Sequence, residues 1–334
     1  MEGIMMMNKE KYAVAVRKPD REIEVKVEEH RSLARQESIQ RIPIVRGIFS
    51  FIDSLVIGMK CLMYSATFYE DEEEEQKRME MSEEERQAAL RKKEKDDSLL
   101  MYGSVIFSIV VAVAVFMLLP YALASQLERM RAPHFAVTVA EAVVRVGIFV
   151  LYLWAISRMK DIQRVFMYHG AEHKCINCIE HGMELNVENV MKSSREHKRC
   201  GTSFLMYVIV ISIIFFLFIQ VDSPVLRVAL RVLLVPVIAG VSYEIIRMAG
   251  RFDNPVVNLI SRPGMMLQHL TTREPDADMV EVAIAAVEAV FDWKAYLKEN
   301  LGEDVTIQQT EQLQEDGKKE EGGAKSCCAG SENG

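Results

Sequence analysis

Seven side chains of metal-binding type crowd into 32 positions of this sequence: His169, His173, Cys175, Cys178, His181, His197 and Cys200. Two overlapping patterns run through them and imply different chemistry. Cys175-x-x-Cys178, then eighteen intervening residues, then His197-x-x-Cys200, has the spacing of a zinc-ribbon-like site. Three thiolates and one imidazole would then close a tetrahedral Zn²⁺, fixing the loop's shape and leaving no open position for chemistry. His169-x-x-Glu172-His173 instead fits H-x-x-E-H. Residues four apart on a helix share a face, so both imidazoles would reach one divalent metal, with Glu172 beside them as general base. That arrangement needs a third ligand, which His197, Cys200 or a carboxylate such as Glu184 would supply. It also needs an open position, where water becomes a nucleophile near neutral pH. The plainer alternative is a set of ordinary loop histidines and cysteines.

The elements that must position this cluster follow from how polarity is distributed. The chain has 334 residues, 50% of them hydrophobic and 26% charged, with a net charge of -8 at pH 7. An acidic balance argues against a nucleic-acid partner. Apolar and charged residues are segregated. Stretches 99–124, 134–156, 204–221 and 225–248 each approach or exceed the ~18–20 residues needed to cross a bilayer, and only helices satisfy their own backbone there. The expected class is a mainly α, polytopic membrane helical bundle of about four spans. Asp222-Ser223-Pro224 makes the last two a tight antiparallel hairpin.

Seven regions result. Residues 1–46 hold an N-terminal β-hairpin over 11–29, where Tyr12, Val14 and Val16 and then Ile23, Val25 and Val27 alternate with other residues around a Lys18-Pro19-Asp20-Arg21 turn. Such a hairpin is too small to stand alone. Residues 47–98 hold an amphipathic helix, lying at the membrane surface or on the bundle, and a charge-dense linker over 70–98. Residues 99–156 are the first membrane pair, 157–203 a metal-binding loop, and 204–248 the second pair. Residues 249–300 begin irregularly, through 251–274, and continue into an amphipathic helix starting near Pro275, with a stripe of Val280, Ile284, Val287 and Phe291. Residues 301–334 read as a disordered tail. Met1 to Met7 is apolar but too short, and lacks the basic flank, for a cleavable signal peptide.

The loop between spans two and three carries Arg158, Lys160, Arg164, Lys174, Lys192, Arg195, Lys198 and Arg199, whereas Arg129 and Arg131 are the basic residues between spans one and two. The positive-inside rule puts the loop and both termini in the cytoplasm, in a plasma or inner membrane. Arg227 and Arg231, near the outer end of span four, run against this. Glu141 and Arg145 sit four apart inside span two, as an ion pair turned into the bundle or as a polar path. Glu244 and Arg247 would border the loop. Thr202 and Ser203 read as the N-cap of span three, with Gly201 as a point of close backbone approach.

At these residues the chain resembles the YqhQ family of bacterial membrane proteins. The shared pieces are Glu2-Gly3-Ile4-Met5-Met6, Ala13-Val14-Ala15-Val16-Arg17-Lys18-Pro19, Gly58-Met59 with Met63-Tyr64-Ser65-Ala66, His169-Gly170-Ala171-Glu172-His173-Lys174, Arg199-Cys200-Gly201-Thr202-Ser203-Phe204 and Thr271-Thr272-Arg273-Glu274-Pro275. The resemblance implies a metal-dependent protein of unknown function. It also implies a Gly-Gly-Gln-Ala-Val-Ile-like stretch ahead of the first motif, and Gly where Asn8 stands. Cys175 falls outside the resembling pattern, which favours His169, Glu172, His173 and Cys200 over the four-ligand ribbon. The resulting expectation is a cytoplasmic-face zinc-type site with His169, His173, Cys178, His197 and Cys200 as candidate ligands and Glu172 as catalytic base of a hydrolase. The alternative is a non-enzymatic scaffold, or a subunit of a membrane-biogenesis or protein-translocation complex, in which the metal staples the loop. A transporter ranks below both, since the spans show no repeat. Partners are the lipid bilayer and membrane proteins.

Overall fold

A computed structural model describes residues 2–30, 32, 37–68, 100, 103–219, 221, 223–250 and 254–301. The charged linker over 70–98 lies outside them, as does the tail, apart from Leu301. In chain order the elements are strands β1 (Gly3–Asn8), β2 (Lys11–Arg17) and β3 (Ile23–Glu29), then helices α1 (Pro43–Thr67), α2 (Gly103–Leu127), α3 (His134–Ile156), α4 (Lys160–Glu180), α5 (Val187–Lys192), α6 (Gly201–Leu217), α7 (Pro224–Ala249), α8 (Pro255–Thr271), α9 (Ala277–Val290) and α10 (Trp293–Leu301). A single turn, Glu37–Gln40, precedes α1. The chain divides into two compact units: one of Ser32–Gln163 and Lys198–Thr271, the other of Glu2–Arg31, Arg164–His197 and Thr272 onward.

The first unit is apolar and helical, and the protein is a multi-pass membrane protein. Helices α1, α2, α3 and α7 are long and apolar enough to cross a bilayer, while α6 is as apolar but only 17 residues long. Small residues set the packing. On α1 the buried positions are Gly47, Ile57, Cys61 and Ser65, whereas Leu55 and Leu62 are exposed. Apart from Ile57, the positions that turn inward are small, as expected where lipid is as apolar as leucine and backbones must approach closely. A Cβ on Gly47 would meet the Gly240 carbonyl oxygen at 2.8 Å, so α1 and α7 cross at this glycine pair. Arg46 donates through Nε to Glu244 Oε1 at 2.7 Å, which accounts for Glu244.

Arg145 lies at the midpoint of α3, eleven residues from Ile156 and eleven from His134. A charge at that depth costs roughly 2.5–3.5 kcal/mol on insertion scales. It is buried with Glu141, and the four-residue spacing expected to make an ion pair does so, at 2.6 Å. A second arginine completes the arrangement: Arg231 Nη1 and Nη2 donate to the two Glu141 oxygens at 2.7 and 2.8 Å. The orientation conflict that Arg231 raised in the sequence is thus relieved by burial against a carboxylate rather than by escape to the surface. Arg145 also donates to the Ser212 hydroxyl and to the Phe116 carbonyl, each at 3.2 Å. Phe116 belongs to a π-helical segment, Ala114–Leu118, where the widened turn breaks the regular carbonyl ladder.

The span 251–274, read from sequence as irregular, contains the 17-residue helix α8. Pro255 occupies its first turn, where a missing N–H costs nothing, and Pro263 is accommodated inside it. Its buried positions, Ser261, Gly264, Leu267, Gln268 and Thr271, are mostly small or polar, so no hydrophobic period marks it. Gln268 donates to the buried Ser203 hydroxyl at 3.0 Å, and a Cβ on Gly264 would meet Ser203 Oγ at 2.7 Å. Ser203 is therefore a packing residue and not the cap of α6. The cap is Cys200, whose sulfur accepts from the Thr202 N–H at 3.4 Å. Gly201 has open space where a Cβ would stand, so no close backbone approach explains it.

The second unit is built around an antiparallel sheet of order β1-β2-β3. The hairpin over 11–29 is present, with Arg21 at φ 72° in its turn. The additional strand β1 pairs Ile4 with Ala15 and Met6 with Ala13. It makes β2 central, so Tyr12 to Val16 are all buried rather than alternating. Ile4, Met6 and Ala15 share one apolar core with Tyr168, Ala171, Cys175 and Cys178 of α4 and with Met279, Val280, Ala283 and Ala286 of α9. Two hydrogen-bonding residues on the sheet fasten the ends of α9. Asn8 Nδ2 donates to the Val290 carbonyl at 2.9 Å, and Arg17 donates to the Asp278 carbonyl at 2.6 Å and to Glu281 at 2.8 Å. Gly170 has a specific reason. A Cβ there would collide with the Arg273 carbonyl oxygen, because the segment entering α9 runs against α4, with Arg273 N–H donating to the Phe166 carbonyl at 3.0 Å.

Two substitutions test this packing. Glu141→Ala leaves two buried guanidiniums without their carboxylate. It should destabilise the detergent-solubilised protein by about 3–5 kcal/mol, read as loss of folded yield or a large drop in Tm. Gly170→Ala forces backbone apart and should cost about 1–3 kcal/mol. A Gly170→Ala protein that melts with the wild type would show that the α4–Arg273 contact is not as close as described.

Candidate metal centre

Helix α4 presents two faces to different surroundings. Tyr168, Ala171, Cys175, Cys178 and Ile179 recur at helical spacing and enter the apolar core. At 100° per residue, His169 and His173 then fall together on an adjacent face, with Glu172 at the border between the two. The ring centroids of His169 and His173 are 4.4 Å apart.

His173 is 2% exposed, and its ring is held from behind. Its Nδ1 lies 2.6 Å from the Arg195 carbonyl oxygen. A carbonyl only accepts, so Nδ1 carries the proton and Nε2 keeps its lone pair, the tautomer of a metal-binding imidazole. Neighbouring residues lace the same loop onto α4. Lys174 Nζ donates to the carbonyls of Met191 and Ser193, both at 2.8 Å, and pairs with Glu274 at 2.9 Å. Asn177 Nδ2 donates to the carbonyls of Ser194 at 2.7 Å and Glu196 at 2.9 Å. Sequence reasoning passed over Lys174 and Asn177. No local signal marked them: they lie off the apolar face and are buried only because the loop 191–196 covers them.

His169, His173 and Cys200 form a group that could hold a metal ion, with one ligand atom from each lying within 4.8 Å of the others. The Cys200 sulfur is also 3.1 Å from the Thr202 hydroxyl. Glu172 is half-buried. Burial pushes its carboxyl above the usual carboxylate range, against the opposing pull of His169 and His197.

The other candidates stand elsewhere. Cys175 and Cys178 lie in the apolar core. Burial raises both thiols, that of Cys178 to about 11, and the Cys178 sulfur donates to the Glu184 carbonyl at 3.4 Å. His197 is buried, with Nε2 3.2 Å from Glu180 and its ring centroid 5.9 Å from that of His173. His181 and Glu184 are exposed, and His181 Nδ1 donates to the Asn177 carbonyl at 2.7 Å. The structure thus brings together the His169, His173 and Cys200 ligand atoms, and it does not bring Cys178 or His197 into that group.

Comparison with known proteins agrees with the resemblance drawn from the motifs. Residues 42–293 match the family described as "Protein of unknown function (DUF1385)". The chain is 32% identical over 305 residues to "Uncharacterized protein YqhQ" of Bacillus subtilis (strain 168), covering 90% of this chain and 93% of that protein. No solved structure matches it. The chain belongs to the DUF1385 family of proteins of unknown function, and with YqhQ to one group of relatives.

Proposed function

We propose that the protein binds one divalent cation of zinc type through His169, His173 Nε2 and Cys200, and uses it in a hydrolytic reaction with Glu172 as proton acceptor and donor. The observation that carries the reading is the convergence of three ligand atoms to within 4.8 Å. Zinc holds imidazole nitrogen at about 2.0–2.1 Å and sulfur at about 2.3 Å, so small side-chain shifts close the site. Three protein ligands are the number that leaves a position open for chemistry. A bound zinc-type ion would supply a Lewis acid there. The chain itself supplies the rest. The Arg195 carbonyl fixes the His173 tautomer. Burial on one side and two imidazoles on the other hold Glu172 where it can exchange a proton.

A second reading, a scaffold in which the metal is only a staple, draws on the nearness of the His197 ring to His173. Metal analysis of the purified protein with X-ray absorption separates the two. The expected result is close to one zinc per chain with two imidazoles, one sulfur and one further light atom, and loss of at least tenfold in affinity for Cys200→Ser. Four protein ligands would select the staple, and absence of any ion would defeat both. Glu172→Gln should keep the metal and fail to restore the phenotype of a deletion strain. A variant that keeps both would remove the catalytic role.

The side of the membrane follows from a parity argument. Glu2–Arg31, Arg164–His197 and Thr272 onward fold as one unit, so the chain between any two of these pieces must cross the bilayer an even number of times. Three apolar helices, α1, α2 and α3, lie between the first and second pieces. The amphipathic α1 is the one we propose does not cross. Between the second and third pieces, α7 needs a companion, which is α6: its 17 residues reach roughly 25 Å and need some bilayer thinning. The excess of basic residues around α4 supports a cytoplasmic side for this unit. With a single cysteine introduced at Arg131 or at Glu85, an impermeant maleimide applied to intact cells should label the first and spare the second. Labelling at Glu85 would mean that α1 crosses.

A further inference from the structure

The membrane unit carries a feature that the metal reading does not use. Beside Arg145 is a cavity of about 340 Å³, lined by Phe116, Phe149, Val208, Phe216 and Ile238 among other apolar side chains, with the Arg145 guanidinium and the Ser212 hydroxyl as its polar points. It runs alongside α6 from Leu205 to Phe216, which is about 16 Å at the helical rise.

Among the described residues the charge around this slot does not balance. Glu141 brings one negative charge and serves both Arg145 and Arg231. The two guanidiniums stack on the same ring, each 4.8 Å from the centroid of Phe216. Arg231 is 5% exposed, and its Nε is buried without a partner. Farther along α7, Arg227 lies over Tyr121 at 5.5 Å and Arg231 over the same ring at 5.1 Å. Arg227 and Arg231 thus lead along α7 to the Glu141 carboxylate and Phe216 ring that Arg145, at the slot, shares with Arg231. A surplus positive charge in an apolar bundle calls for an anion, and an apolar slot beside it calls for a hydrocarbon.

We infer that this slot binds one long-chain fatty acid, its hydrocarbon along α6 and its carboxylate on the guanidinium of Arg145, which shares its one carboxylate partner with Arg231. A carboxylate is the anion that Glu141 already shows these guanidiniums to accept, and guanidinium matches it in shape as well as charge. A phospholipid would have to bring its glycerol and a second chain to the middle of α3. A fatty acid brings only two oxygens.

The test uses the full-length protein in nanodiscs of zwitterionic phosphatidylcholine, titrated with the fluorescent probe dansyl-undecanoic acid at pH 8. Saturable uptake of one probe per chain is expected, displaced by palmitate and not by hexadecanol or phosphatidylglycerol. Arg145→Met leaves Glu141 paired with Arg231 at zero net charge and should weaken binding at least tenfold. Val208→Trp fills the slot without touching the charges and should do the same with Tm unchanged, so it decides the matter if Arg145→Met fails to fold. Unsaturable uptake, displacement by phosphatidylglycerol as effective as by palmitate, or wild-type affinity in Val208→Trp would each overturn the inference.

Discussion

A single apolar core drawn from three distant parts of the chain governs the rest. Ile4 and Met6 come from its beginning, Ala171 and Cys178 from its middle, and Val280 and Ala283 from near its end. With the core face of α4 fixed in this way, the rotation of the helix is fixed too, and His169 and His173 have no choice of direction. The polar lacing by Lys174 and Asn177 then holds the loop whose Arg195 carbonyl orients His173. The tautomer of one imidazole is in this sense a product of sheet-and-helix packing on the other side of the same helix.

In the membrane unit the corresponding constraint is electrostatic. A lone charge at the middle of a span is expensive, and three charges sharing partners are less so. Glu141 accepts from both arginines, Phe216 offers its face to both, and the π-helical turn of α2 yields a carbonyl. Such a cluster tolerates no loss of its one carboxylate. It accounts for why α3 carries two charged residues in a stretch otherwise suited to lipid.

Much of this was legible in the residues. The H-x-x-E-H spacing, the Glu141–Arg145 separation, the β2–β3 turn and the apolar stretches all announce themselves through local pattern. What stayed hidden depends on partners far away in sequence. Strand β1 is a run of methionines with no polar alternation, and only pairing with β2 reveals it. Arg231 finds its carboxylate 90 positions away. Helix α8 buries small and polar side chains, so hydrophobic periodicity passes over it. Cys200 caps α6 with its sulfur, a role that Thr202 and Ser203 were better suited to by type. The inward stripe of α1 is inverted for the same reason: the helix packs by what it lacks, not by what it adds.

The order of synthesis gives the sheet an unusual history. Its three strands leave the ribosome well before the helix that Asn8 and Arg17 clasp, which ends only at Val290. At about 5–20 residues per second, the nascent strands wait tens of seconds, with their Met-rich edge uncovered, until every hydrophobic segment has been delivered to the lipid. The unit that holds the sheet is thus completed only after the apolar helices have been made. During that interval the strands lack the helix that completes their core, and any truncation ahead of α9 would leave them without it.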